Sequence, residues 1–301
     1  MSEFTKTFLR DGGDDAEGSA EFFGVFGKHP GWDDHIEDLP LPTASIVAAK
    51  QLLYVQGIGS QISSGAWARL SPDASLPEFN HYLLWVRGRQ FLAGRLWASR
   101  DGKRRAHFPM IALIHALNLP LESALGPLMT KLDAVAAGCR ATTSAEKVRN
   151  VISRVSSEAP ISADQPTENS AVTLSVTPSS VRGLVRDLRG NLPPRCRLPA
   201  DPNDSLRSLR FWSRICTSLA SPDLPFVFLV SPGAPWIDLL SREPAPGYFF
   251  CLRAGLSALP YTYPPTPHEP VEEVDADEQI KADLGGKAST GRSWFSRMLG
   301  N

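Results

Sequence analysis

Apolar positions in this chain fall into short blocks with two different periods. Phe22 to Gly27 is an aromatic-rich run stopped by Lys28-His29-Pro30-Gly31, which predicts a first strand ended by turn residues. From about 43 to 57 the spacing becomes helical. Ile46, Val47, Ala49, Leu52, Leu53 and Val55 supply the apolar positions, with Thr43 or Ser45 as the cap. Gly57-Ile58-Gly59-Ser60 reads as the stop of that helix, and a short segment from Gln61 to Leu70 carries Trp67. The strongest strand signal follows. Tyr82 to Arg87 and Gln90 to Ser99 are two apolar runs joined through Arg87-Gly88-Arg89, which predicts an antiparallel hairpin. A charged turn, Arg100 to Arg105, leads into His107 to His115, a third and mostly buried strand, so residues 80–116 form a meander.

In the second half, Leu121 to Ala137, Ser144 to Arg154, Ser179 to Leu188 and Ser205 to Leu219 have helical periodicity. Phe226 to Val230 and Tyr248 to Leu252 read as strands, and Trp236 to Leu240 as a short apolar element. The predicted fold class is mixed α/β, with a meander-containing antiparallel sheet flanked by helices. Residues 1–20 read as a flexible leader and 21–260 as a single α/β domain, with a polar, Pro-containing loop or linker near 155–171. From 261 to 301 the composition turns Pro-rich and acidic, which predicts a disordered, extended tail whose removal leaves the domain folded. Its end carries Trp294, Phe295, Met298 and Leu299, which fit either a short docking motif or a helix folded back on the body.

Composition narrows the function classes. At 301 residues, 42% hydrophobic and 21% charged, the chain has the make-up of an ordinary globular protein. A formal net charge of −1, from 31 basic and 32 acidic residues, gives no field suited to nucleic acid or a membrane surface. No apolar stretch approaches the ~18 residues needed to cross a bilayer, and the amino terminus lacks the apolar core of a signal peptide. The four cysteines, Cys139, Cys196, Cys216 and Cys251, are widely scattered without a C-x-x-C spacing. They fit a reducing cytoplasm and argue against structural zinc.

One segment concentrates chemistry. Trp32, Asp33, Asp34, His35, Glu37 and Asp38 occupy a single loop after the first strand. Carboxylates and an imidazole in one loop can hold a divalent ion, although the spacing matches neither an EF-hand loop nor H-E-x-x-H. The competing use is a shaped surface loop that caps itself and contacts a partner, with Trp32 as an aromatic anchor. A metal-dependent hydrolase would draw on Asp33, Asp34 and His35 together with one of His81, His107 or His115. His107 and His115 share a face if both lie in one strand. No G-x-S-x-G is present, and Gly57-Ile-Gly59-Ser60 lacks the Lys-Ser/Thr that grips phosphates. The residues therefore imply no catalytic group and no cofactor.

Two segments carry a family resemblance. Gly24-Val-Phe-Gly27-Lys28-His-Pro30-Gly-Trp32-Asp33, followed by Leu39-Pro40, resembles the opening of the TagF/ImpM family of type VI secretion-associated proteins. Arg95 to Met110, with Ser99, Asp101, Arg104, Phe108 and Pro109, is similar to that family's Ser-x-Asp-x-x-Gly-Arg-x-Phe-Pro-Leu stretch. The resemblance spans about residues 21–118 and departs at Trp32, Asp34 and His35, where the family has Gly-Asp-Phe. It implies a compact α/β fold and a non-enzymatic, post-translational regulator of type VI secretion, generally a repressor. Such a regulator acts by contact with a forkhead-associated-domain scaffold protein. A structural accessory subunit of a secretion assembly is the other non-enzymatic reading. By resemblance, Gly27, Lys28, Pro30 and Asp33 fall on the first motif and Ser99, Asp101, Arg104, Phe108 and Pro109 on the second. Asp33 is then expected to pair with Arg104 or Arg105, holding the loop against the turn.

Overall fold

The computed structural model describes residues 18–158, 161, 172–221, 224–241, 244–266 and 269–284. Its centre is a seven-stranded sheet built from β1 (Ala20–Gly27), β2 (Asn80–Arg87), β3 (Gln90–Trp97), β4 (Met110–Leu117), β6 (Arg195–Pro199), β7 (Phe226–Val230) and β8 (Trp236–Ser241). The strand order is β1-β4-β3-β2-β7-β8-β6, and every neighbouring pair is antiparallel. The predicted meander forms its middle. Gly88 turns the β2–β3 hairpin with a φ of 56°, the positive value a tight two-residue turn requires at its first position.

The strands read as near-continuous apolar runs because both faces of the sheet are covered. Along β2, Leu84 and Val86 face one core while Leu83 and Trp85 face the other. Ala112 and Ile114 alternate with Ile111 and Leu113 along β4 in the same way, and Phe226 and Phe228 with Val227 and Leu229 along β7. On the first face lie α3 (Leu121–Arg140), α4 (Ala145–Ser156), α5 (Pro178–Leu188) and α6 (Ser205–Leu219). On the second face lies a helix that begins as α1 (Ala44–Ala49), with Thr43 Oγ1 accepting from the Ile46 N–H at 3.3 Å. It widens to π-helical winding over Lys50–Ile58 and closes as α2 (Gly59–Ser63).

That helix corrects two expectations. It does not stop at Gly57-Ile58-Gly59-Ser60, because Leu53, Tyr54 and Ile58 continue a buried stripe that packs with Phe249 and Leu252. Val47 and Val55, counted among its apolar positions, instead face solvent; for Val55 the wider winding rotates the buried stripe away from it. Tyr248 to Leu252 is not a strand but part of a 3₁₀ segment, Pro246–Arg253, opened by its proline and wedged against the π-helical turns. The strand expected from His107 starts only at Met110, so the shared-face argument for His107 and His115 does not apply.

The tail is also corrected over 261–284. Residues 269–284 fold back on the body rather than extending into solvent. Strand β9 (Glu272–Asp275) pairs with β5 (Thr173–Val176) in a second, two-stranded sheet, and residues 276–284 are helical. Ala276 is fully buried, and the acids meet arginines of α5 and α6: Arg182–Glu269 at 2.8 Å, Arg207–Glu273 at 2.6 Å and Arg214–Asp277 at 2.6 Å. Local composition reads as disorder because the counter-charges lie some tens of residues upstream. The leader over 1–17, most of the 155–171 loop and the Trp294, Phe295, Met298 and Leu299 motif lie outside the described residues. Among the described residues no helix is long and apolar enough to cross a membrane.

Candidate functional site

Strand β1 ends at Gly27 with a φ of 117°, where a Cβ would lie 2.3 Å from the Pro109 carbonyl oxygen. This glycine brings the chain against the β3–β4 connection, and the Lys28 N–H donates to that same carbonyl at 3.2 Å. Lys28 then bridges His35, and the Ile36 N–H donates to the Gly27 carbonyl at 2.8 Å. Residues 29–34 are thereby closed off at their base as a loop, with the Ile36 side chain buried beneath it.

The charges of both motifs meet under this loop. Lys28 is buried, with its Nζ 2.7 Å from Asp101 Oδ2. Asp101, whose carboxylate is fully enclosed, also accepts from the Arg105 backbone N–H at 2.9 Å and from Arg105 Nε at 2.6 Å. Arg105 reaches on to the Asp34 carboxylate at 3.1 Å and donates to the Asp33 carbonyl at 2.9 Å. The Gly102 N–H closes the contact by donating to the Trp32 carbonyl at 2.7 Å. Burial alone would raise the Asp101 carboxyl. The Lys28 ammonium and the Arg105 donors outweigh it and hold the group well below the usual carboxylate range.

The expected pairing of Asp33 with Arg104 or Arg105 is thus half correct. Arg105 does clasp the loop, but the carboxylate it takes is that of Asp34, and Asp33 contributes only its backbone. Arg104 is exposed at a φ of 65°, its N–H donating to the Asp101 carbonyl at 2.9 Å to close the turn. The run from Arg100 to Arg105 is not uniformly solvated either, since Asp101 is its buried anchor.

Trp32 is half-buried rather than free-standing. Its Nε1 donates to Asp38 Oδ1 at 2.8 Å, and Arg149 of α4 pairs with the same carboxylate while lying 5.5 Å from the indole ring centre. His29 sits edge-on to Trp32 at 5.6 Å. The Gly31 N–H donates to His29 Nδ1 at 3.0 Å, which leaves Nε2 as the protonated nitrogen, donating to the Cys139 carbonyl at 2.9 Å. Burial keeps that imidazole neutral by lowering its pKa. His35 Nδ1 lies 2.8 Å from the Tyr54 hydroxyl, and its ring meets Phe108 edge-on at 5.0 Å. Its pKa is lowered by burial first and then by the Lys28 charge. Pro109 is buried at the start of β4, and Ser99 is half-buried. The contact of His29 with Cys139 and the pairing of Arg149 with Asp38 span more than a hundred positions, and no local spacing reveals them.

A metal site fares poorly on geometry. His115 is buried on β4 against Thr43 Oγ1 and Gln90 Oε1, each at 3.1 Å. His81 is buried on β2, and His107 is exposed. Among the described residues no group of three or more His, Cys, Asp or Glu side chains is placed to hold a metal ion. All four cysteines are buried free thiols whose pKa is raised by burial, to about 12 for Cys139 and for Cys196. Thiols in that state are poor nucleophiles.

Beside the clasp a cleft of about 350 Å³ opens between the loop after β1, the start of the β3–β4 connection and the α3–α4 junction. His29, Pro30 and Ser99 line it together with Arg100, Arg140 and Thr142.

No family model and no curated protein matches the chain. Among solved structures it is similar to the crystal structure of PA0076 from Pseudomonas aeruginosa PAO1, with 17% sequence identity and a TM-score of 0.42. That match covers 82% of this chain and 100% of the other.

Proposed function

We propose that this chain is a non-enzymatic binding protein that works by protein–protein contact through the surface built on the Lys28–Asp101 clasp. The observation that carries this reading is the fate of the ionisable groups. Lys28, Asp101, Arg105 and Asp34 are consumed in one another, so the cluster serves as a scaffold and not as an acid–base pair. What the scaffold presents outward is Asp33 and Glu37, with half-buried Trp32 beside them, on the segment after β1, and Arg104 on the facing β3–β4 turn. An aromatic flanked by fixed charges on a preorganised loop is the composition of an interface centre.

The resemblance of the two motifs to TagF/ImpM proteins extends the proposal. The partner is a forkhead-associated-domain protein or another component of a type VI secretion system, the site of action is the cytoplasm, and the effect is post-translational repression. Affinity capture from the native cell tests it, comparing wild type with Trp32→Ala and Asp33→Arg. Recovery of a secretion-system protein by wild type, and its loss in both variants while each still melts cooperatively, is the expected result. Equal recovery by all three proteins would remove this surface from the contact.

A further inference from the structure

The cleft at the α3–α4 junction has a chemical character that the protein-contact reading does not use. Three separated stretches build its walls, and its lining residues are a mixture of guanidinium, hydroxyl and small apolar groups. Among the described residues that line it none is acidic, whereas Arg100 and Arg140 both are cationic. Neither arginine forms an ion pair with a described residue. Arg140 lies over the Trp97 ring at 5.9 Å, which orients its guanidinium without neutralising it.

Two acids beside these arginines are engaged elsewhere. Asp101, next to Arg100, is taken by Lys28 and Arg105. Asp133, one of two acids whose field reaches Arg140, accepts from Tyr82 Oη at 2.7 Å and Arg95 Nε at 3.0 Å. Glu78 is the other, and it does not line the cleft.

The hydroxyls are poised to donate. Thr142 Oγ1 accepts from the Ser144 N–H at 3.0 Å, which occupies a lone pair and leaves its proton free to turn outward. Ser99 and Thr143, which also line the cleft, are hydroxyl-bearing residues as well. His29 holds the wall in place, because both its ring nitrogens are engaged within the protein.

We infer that this cleft is a binding site for a phosphate monoester. Two guanidiniums and several hydroxyl donors match the oxygens of a dianionic phosphate, for which arginine forks give strong, directional hydrogen bonds. Pro30, Ala98 and Ala106 supply apolar wall beyond the charged part, and the cleft lies at the lower end of the usual range of ligand-site volumes. It therefore takes the ester carbon group as well as the phosphate. This inference does not depend on the proposed protein partner.

The test is titration of the full chain with phenyl phosphate, inorganic phosphate and phenol, followed by calorimetry and by backbone amide shifts. Phenyl phosphate is expected to bind most tightly, to shift the amides of Ser99, Thr142 and Thr143, and to bind at least about tenfold more weakly to Arg100→Gln/Arg140→Gln. Both arginines are exposed, and Arg100→Gln alone serves as the variant if the pair impairs folding. Equal affinity for phenyl phosphate and inorganic phosphate would overturn the ester assignment. Shifts elsewhere, no binding, or equal binding by the variants would overturn the site.

Discussion

Lys28 and Asp101 stand 73 positions apart in sequence and meet at 2.7 Å in the interior, joining the loop after β1 to the β3–β4 connection. Among the described residues the ammonium has no other enclosed counter-ion, Asp34 at 3.7 Å being exposed, while Asp101 has Arg105 as a second donor. Lys28→Ala is therefore expected to lower the melting temperature clearly more than Asp34→Ala, whose carboxylate is largely exposed. Amide exchange over residues 29–34 should quicken in Lys28→Ala. Equal melting temperatures for the two variants would contradict the clasp as the organising contact.

The loop also depends on a close approach. A Cβ on Gly31 would lie 2.5 Å from the Ala145 backbone nitrogen, at the start of α4. Gly31→Ala must push the loop off that helix, at a cost of roughly 1–3 kcal/mol. Chemical denaturation measures this, and a neutral effect would show that the loop can shift freely.

A second buried pair ties the far edge of the sheet to the segment after the 3₁₀ turns. Arg197 and Asp238 bond bidentately at 2.8 Å, and Arg197 also donates to the carbonyls of Ala254, Gly255 and Leu259. Asp238→Ala strands a guanidinium in the interior and is expected to cost about 3–5 kcal/mol in urea unfolding. Replacing both partners by apolar residues together should cost less than the single change.

His81 predicts a pH dependence. Burial, and then the charges of Arg95, Arg253 and Arg197, push its imidazole down to about 3, against an ordinary value of 6.5. The folded protein keeps it neutral, while the unfolded chain takes up a proton near 6.5. Its contribution to stability is fully present above that value and is lost as pH falls towards 3. Wild type should lose stability through this window, and His81→Gln should lose less; parallel profiles would refute the assignment.

Truncation after Thr266 removes β9 and the ion pairs that Glu269, Glu273 and Asp277 make with α5 and α6, uncovering Leu174 and Val176 of β5. The expected result is a lower urea midpoint and increased binding of a hydrophobic dye. An unchanged midpoint would restore the simpler picture of a dispensable tail.

Most of the sheet was legible in the sequence, because apolar runs bounded by turn residues and the Gly88 turn are local signals. Strands β5, β6 and β9 escaped notice: they are four or five residues long, β6 carries Arg195 and Arg197, and β9 is acidic. The Pro246–Arg253 segment misled for a related reason. A short apolar run has too few positions for its period to tell strand from helix.

By itself the sequence determined the residue types at the sheet's two faces, the loop breaker at Pro30-Gly31, and the concentration of acids after it. Tertiary structure alone decided which charges pair. It gave Asp34 rather than Asp33 to Arg105, set Arg149 beside Asp38, and laid Glu269, Glu273 and Asp277 along arginines of α5 and α6. The physical reason is range. Backbone periodicity acts over a few residues, whereas a buried ion pair depends on where the packed sheet brings two distant turns together.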